Sequence, residues 1–241
     1  MKKLTSMLLA VLMALAIVAI PAGAEGVPFT DIGNLDAYTQ DNIAYLYQQG
    51  IMNGTSETTF DPEVMYTRAM FVTMLGRTVD VDPADYPASA FSDVPAGRWD
   101  APYIAWAAEQ GIVNGVGDGK FNPTGIITTE QYATIVCRFL DRYEITLCHS
   151  DLDGWPYAIS DLDEAAPYAR ESIQRLVEAG ILDFGWYEDT PTLLYVNPKV
   201  ELSREAIAYS YGDLHYIIFQ GEALTYSVAL GSFDTWAQWS Q

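Results

Sequence analysis

Trp99 to Glu130 reads WDAPYIAWAAEQGIVNGVGDGKFNPTGIITTE. It holds a short helical pattern, a Gly-Ile turn, a glycine-rich loop, a Phe-x-Pro step and the start of a second helical pattern. Other parts of the chain repeat it. Ile43, Ile104 and Ile173 are followed seven residues later by Gly50, Gly111 and Gly180, each succeeded by isoleucine. An aromatic stands five residues before each leading isoleucine: Tyr38, Trp99 and Tyr168. Phe60-Asp61-Pro62, Phe121-Asn122-Pro123 and Val196-Asn197-Pro198 come next, and a hydroxyl follows each proline by five residues, at Thr67, Thr128 and Ser203. The spacing is 61 residues from copy one to copy two. From copy two to copy three it is 69 at the glycines and 75 at the prolines, because copy three carries a longer loop. Such self-similarity sets the architecture before any single residue is interpreted.

Within each copy the pattern predicts two helices. The first spans Thr39–Gln49, Ala101–Gln110 or Pro167–Ala179, with Pro102 and Pro167 in the first turn, where a missing N–H costs nothing. The glycine after each suits the left-handed position that ends a helix. The second helices begin at Thr67, Thr128 and Ser203, all good N-caps. Thr128 with Gln131 has the spacing of a capping box. Phe71, Met74 and Leu75, then Tyr132, Ile135, Val136 and Phe139, then Ile207, Tyr211 and Leu214 recur at helical spacing and read as core. The expected fold is all-α: three helix-loop-helix copies around one shared core, at 29–85, 91–147 and 159–220. Residues 79–90 and 144–158 read as linkers, and 221–241 as a tail outside the repeat. Phe29-Thr30-Asp31-Ile32 and Phe91-Ser92-Asp93-Val94 open copies one and two as turn formers. Ile159-Ser160-Asp161-Leu162 takes that place in copy three.

The first 24 residues carry Lys2, Lys3, an apolar run and Ala22-Gly23-Ala24, the pattern of a cleaved secretory leader rather than a retained anchor. No other stretch is apolar enough to span a bilayer. Loss of residues 1–24 removes two of the 12 Lys and Arg and none of the 32 acids, shifting the formal net charge from −20 to −22. So acidic a chain repels nucleic acid and anionic membranes, and an anionic partner must be held by a local feature. Half the residues are hydrophobic, which excludes a disordered chain. Cys137 and Cys148 either pair or stand as one buried and one loop thiol, without metal-ligand spacing. The acidic loops lack the EF-hand ligand pattern, and Asp151-Leu152-Asp153-Gly154 is too short a fragment of one.

Arg68 and Arg204 break a local rule. Each sits in the first turn of a helix, where a cation opposes the helix dipole. Free N–H groups at a helix start favour an anion, and an added arginine makes a place for a carboxylate. A salt bridge to a nearby acid is the competing explanation. No Ser/His/Asp order, nucleophile elbow or metal-binding His motif is present, so no enzyme and no cofactor are expected.

Taken together, Phe91-x-Asp93-Val94, Trp99, Ile104, Gly111-Ile112, Asn114-Gly115-x-Gly117-Asp118-Gly119-x-Phe121-x-Pro123 and Thr67-Arg68-Ala69 resemble the S-layer homology domain, over about 29–220. The resemblance implies three repeats in a pseudo-threefold helical arrangement. It implies non-covalent anchoring at the cell surface, on a secondary cell-wall polysaccharide bearing pyruvate ketals or on a modified peptidoglycan. Its grooves lie between adjacent repeats, and a Thr-Arg-Ala-Glu motif supplies the arginine. Matched residue by residue, Thr67 and Arg68 carry that role in copy one, and Ser203 and Arg204 in copy three. Asp31, Tyr38, Asp93, Trp99, Gly115, Gly117, Asp118, Gly119 and Thr128 are the supporting groove and loop positions. Copy two has Thr129 in place of the arginine, Met70 and Ala206 replace the acid, and copy three lacks the glycine loop. The alternative expectation is a structural or adaptor surface protein with degenerate glycan sites, contacting another protein through the aromatic tail, 221–241, or the enlarged loop of copy three.

Overall fold

The computed structural model describes residues 26–147, 157–187 and 189–220. The leader, Cys148, the Asp151–Gly154 fragment and the tail fall outside them. Six helices dominate the described residues: α1 (Ala37–Gln48), α2 (Arg68–Thr78), α3 (Ala101–Glu109), α4 (Thr129–Arg142), α5 (Arg170–Glu178) and α6 (Arg204–Gln220). The helical class read from the pattern holds.

Boundaries follow local chemistry. Helix α1 starts two residues before the sequence suggests, because Asp36 caps it by accepting from the Thr39 N–H at 3.0 Å and the Thr39 hydroxyl at 2.6 Å. Helix α5 starts three residues later than expected: residues 167–169 form a turn, so Pro167 precedes the helix instead of sitting in its first turn. The Arg170 guanidinium ties that turn down through the Ala165 carbonyl at 3.1 Å. The glycine ends behave as read. Gly50, Gly111 and Gly180 take φ of +70°, +73° and +69°, and the N–H of each following isoleucine reaches back to Leu46, Ala107 or Leu176.

Thr67 and Ser203 cap their helices, accepting from the Met70 and Ala206 N–H groups, each at 3.2 Å. Thr128 does not. Its hydroxyl is buried and makes no hydrogen bond among the described residues, so the capping box expected from Thr128 and Gln131 is not formed. Gln131 instead faces Arg68 across the neighbouring copy.

Each second helix packs on the next copy's first helix: α2 on α3, α4 on α5, and α6 back on α1. Backbone hydrogen bonds close the same cycle: Tyr66 N–H to Leu202 C=O at 2.8 Å, Leu202 N–H to Ile127 C=O at 2.9 Å, and Ile127 N–H to Tyr66 C=O at 3.0 Å. The start of every second helix also donates into the following copy's proline loop. Arg68 and Ala69 bond the carbonyls of Gly125 and Pro123; Thr129 and Glu130 those of Val200 and Pro198; Arg204 and Glu205 those of Val64 and Pro62. These donors would otherwise be orphaned at a helix N-terminus. Phe71 lies at the centre, with ring centroids 5.2 Å from Tyr132 and 6.3 Å from Tyr211. Phe60, Phe121 and Phe139 are fully buried around it.

Copy three departs from the helical pattern. Its enlarged loop and lead-in form a three-stranded sheet, β1 (Ala158–Ile159), β2 (Gly185–Tyr187) and β3 (Thr190–Tyr195), in the order β1-β3-β2. Strand β3 pairs parallel with β1 and antiparallel with β2. Part of the stretch read as a linker is thus ordered: Ile145 and Leu147 pack on the core, and residues 83–85 form a single 3₁₀ turn.

Candidate functional site

Asp31, Asp93 and Asp161 act alike. Asp31 accepts from the N–H groups of Phe60 (2.9 Å) and Asp61 (2.7 Å), Asp93 from Phe121 and Asn122 (both 2.8 Å), and Asp161 from Val196 (3.0 Å) and Asn197 (2.7 Å). At Asp31 and Asp93 burial disfavours ionisation, but the backbone donors prevail and hold the carboxyls below the usual range. The residue after each aromatic or valine has positive φ, +55° at Asp61, +59° at Asn122 and +49° at Asn197, and the clasp fixes that strained turn. Asp31 and Asp93 therefore position the loop on which an arginine from another copy rests.

That arginine is the one the sequence singles out. Arg68 is only 5% exposed. Its Nε donates to the Phe121 carbonyl at 3.1 Å, one Nη to Gln131 Oε1 at 3.2 Å, and its guanidinium carbon sits 4.7 Å from the centre of the Phe121 ring. Arg204 does the same on copy one. Its Nε donates to the Phe60 carbonyl and Nη2 to the Asn53 carbonyl, both at 2.6 Å, and the Phe60 ring centre lies 4.4 Å away. Among the described residues neither arginine has a carboxylate within 4.0 Å, which removes the competing salt-bridge explanation. Burial pushes both guanidinium pKa values down, opposed by Tyr168 and Asp93 at Arg68 and by Tyr66, Asp61 and Asp31 at Arg204. Arginine stays charged all the same.

Arg68 borders a groove of about 390 Å³ together with Asn114, Gly115, Gln131, Arg138 and Tyr168. All three copies contribute: α2 from copy one, the glycine loop and α4 from copy two, and the turn before α5 from copy three. Tyr168 is 55% exposed. Of the glycine-loop positions, Gly115 lines the groove. Gly117, Asp118 and Gly119 are exposed at the tip of a tight turn closed by Val116 N–H to Lys120 C=O at 2.8 Å, away from the groove lining. Gly115 has φ +75°, and a Cβ there would run into the Lys120 carbonyl and the Phe91 ring. Trp99, 58% exposed, holds the place in copy two that Tyr168 holds in copy three.

The equivalent place between copies two and three is built differently. Thr129 stands where an arginine would, its hydroxyl directed at the Val200 carbonyl at 3.5 Å. Glu130 is buried and holds Lys199 at 2.7 Å and the Ala166 N–H at 2.8 Å. Tyr38 lies against α6. Its hydroxyl donates to Asp213 on α6, Asn42 donates to the same carboxylate at 3.1 Å, and the Tyr38 and Tyr209 rings are 5.4 Å apart. Arg138 and Tyr168, which line the first groove, are absent from the residues expected by sequence. Tyr168 was visible as one of three spaced aromatics, whereas Arg138 lies mid-helix with no motif around it.

The model of the S-layer homology domain matches residues 28–69 and 90–133. Two segments of the chain are thus similar to that domain. They supply α1 with the start of α2, and α3 with the start of α4. Relatives that carry similar sequence include a cell surface protein of Thermoanaerobacter kivui, 34% identical over 60% of this chain and 18% of that protein. An S-layer protein sap of Bacillus anthracis is 31% identical over 68% of this chain and 19% of its own length. An endoglucanase of Bacillus sp. (strain KSM-635) is 29% identical over 85% of this chain and 20% of its length. The chain thus spans about a fifth of each of these relatives. Within the described residues no helix is long and apolar enough to cross a membrane, and no group of His, Cys, Asp and Glu is arranged to hold a metal.

Proposed function

We propose that this protein is a non-catalytic anchoring module of the bacterial cell envelope, exported and held at the cell wall by binding an anionic secondary cell-wall polysaccharide. The carboxylate of a pyruvate ketal is the group we assign to the grooves between copies, with Arg68 and Thr67 on one side and Arg204 and Ser203 at the equivalent place on copy three. Two segments similar to the S-layer homology domain, and similarity to surface and S-layer proteins, support the anchoring role. The observation that carries the ligand reading is the groove at Arg68: a charged, almost fully buried guanidinium with no acidic partner, at one edge of an open cleft, in a chain of net charge −20. A carboxylate there gains paired, charge-assisted hydrogen bonds in a low-dielectric setting.

We infer further that residues 159–220 are a third, diverged S-layer homology repeat. Support comes from the Asp161 clasp, the Arg204 pin on Phe60 and the hydrogen-bond cycle through Leu202, each the counterpart of a feature in the matched copies. The test is a pull-down of residues 25–241 on purified cell walls, before and after acid treatment that removes ketals. Binding should vanish with the ketals and fall by about tenfold or more in Arg68→Ala combined with Arg204→Ala. Unchanged wall binding by a correctly folded double variant would sink the assignment.

A further inference from the structure

Arg68 is largely occupied by the protein. A carbonyl and an amide oxygen take two of its donors and an aromatic ring covers one face, so little of it reaches the cleft. The second cation on the same groove, Arg138 of α4, is in the opposite condition. It is half-buried, lines the cleft, and among the described residues is the one buried or half-buried Lys or Arg with neither a hydrogen bond nor an ion pair. With 32 acids against 12 basic residues, a cation left uncompensated in a cleft is a marked exception.

The chain offers its own comparison. Arg138 lies nine residues after Thr129, the first residue of its helix. The same step leads from Arg68 to Arg77 and from Arg204 to Asp213. The Arg68 groove takes its helix-start residue from one copy and its plus-nine residue from the next, and the same step can be applied to the other copies. The three pairs are therefore Arg68 with Arg138, Arg204 with Arg77, and Thr129 with Asp213. Two of these pairs are both cations; the third has neither, and its acid accepts from Tyr38 and Asn42 of α1. Of the cations at the plus-nine position, Arg77 already donates to the Ile51 carbonyl at 3.3 Å, which leaves Arg138 as the one free to meet a ligand.

We propose that Arg138 is the specificity-determining cation of the envelope-binding site: it meets the oxyanion of an acidic glycan in the groove between copies one and two, while the exposed Tyr168 ring lies against the sugar. The groove between copies two and three is retired. This rests on the anchoring role proposed above. The shared chemistry is a sugar carrying an oxyanion, either a ketal carboxylate or a phosphodiester. Separating the two sources is part of the test.

The exported protein is titrated with a methyl glycoside bearing a pyruvate ketal, with its methyl ester, and with a glycerol-phosphate-substituted glycoside. Arg138→Gln is expected to weaken binding of the preferred acidic probe about tenfold or more, with Tm within about 2 °C of the parent. Arg138→Lys should recover part of the loss, and the salt dependence of binding should flatten in Arg138→Gln. Arg77→Gln should act less, and Asp213→Asn should leave binding unchanged. Preference for the phosphate probe with the same Arg138 dependence would still support this cation while moving the ligand away from the ketal. Parent-like affinity in Arg138→Gln, with binding lost in Arg68→Ala, would overturn the role of Arg138 and leave the anchoring reading standing. Failure of the unaltered protein to bind any acidic probe or isolated walls would overturn both.

Discussion

Thr67 and Thr128 stand at the same point of consecutive copies, yet only one does the work of a cap. The Thr67 hydroxyl satisfies the Met70 N–H; that of Thr128 is buried and unpartnered among the described residues. Thr67→Ala should cost about 1 kcal/mol, the usual value of a cap, while Thr128→Ala should cost less because no cap bond is lost. Urea unfolding of the two variants decides it: equal losses would mean that the Thr128 bond forms in solution. The pair also shows where sequence reasoning stops at this scale. Hydroxyl and spacing predict a cap in both places, but Gln131 is taken by Arg68 from another copy, a contact 63 residues away that local spacing cannot show. Arg68 itself was legible as an exception to the dipole rule. Arg138 was not, because an arginine nine residues into a helix breaks no rule until the cleft beside it is seen.

Among the elements, the α1–α6 pair closes the cycle and carries two titratable residues whose pKa values move in opposite senses. Asp213 is raised to about 6, first by burial, with the Tyr38 and Asn42 bonds working against it. His215, whose ring bonds the Tyr45 hydroxyl at 2.9 Å, is lowered to about 4 by burial. An acid with a raised folded pKa contributes stability that is full below its unfolded value, near 3.8, and is lost as pH rises through about 6. A histidine with a lowered folded pKa contributes stability that is full above 6.5 and is lost as pH falls toward about 4. Between pH 4 and 6.5 the two slopes oppose each other. Asp213→Asn should therefore leave a Tm that climbs with pH across this window, and His215→Asn one that declines. Identical pH profiles in both variants would refute the assignment. Most helix starts and ends were readable from caps and glycines. The small sheet was not, since three short strands of copy three acquire their pairing only when β1 and β3, some 35 residues apart, are brought side by side.

For the molecule as a whole, no copy has a complete core of its own: each second helix is covered by its neighbour's first, and the start of each second helix is satisfied by a neighbour's loop. Unfolding should then be one cooperative transition by both far-UV circular dichroism and tryptophan fluorescence. Truncation after residue 147 should abolish it, since α1 and α4 would lose their partners α6 and α5. Two separate transitions, or a stable truncated form, would show that the copies fold independently. The period and its anchors made this organisation legible; the circular order of contacts was not, because a linear array with the same repeats satisfies the same spacing.

A closed cycle has no outermost member. In an open stack the end units fray first and offer a protease an extended strand to cut. Here the Tyr66–Leu202–Ile127 ring ties the last copy to the first, so a tug on any one copy is shared by its two neighbours. Cutting the chain in its helical body then requires opening the whole ring, and survival at an exposed surface is governed by the rate of global opening instead of by local peeling.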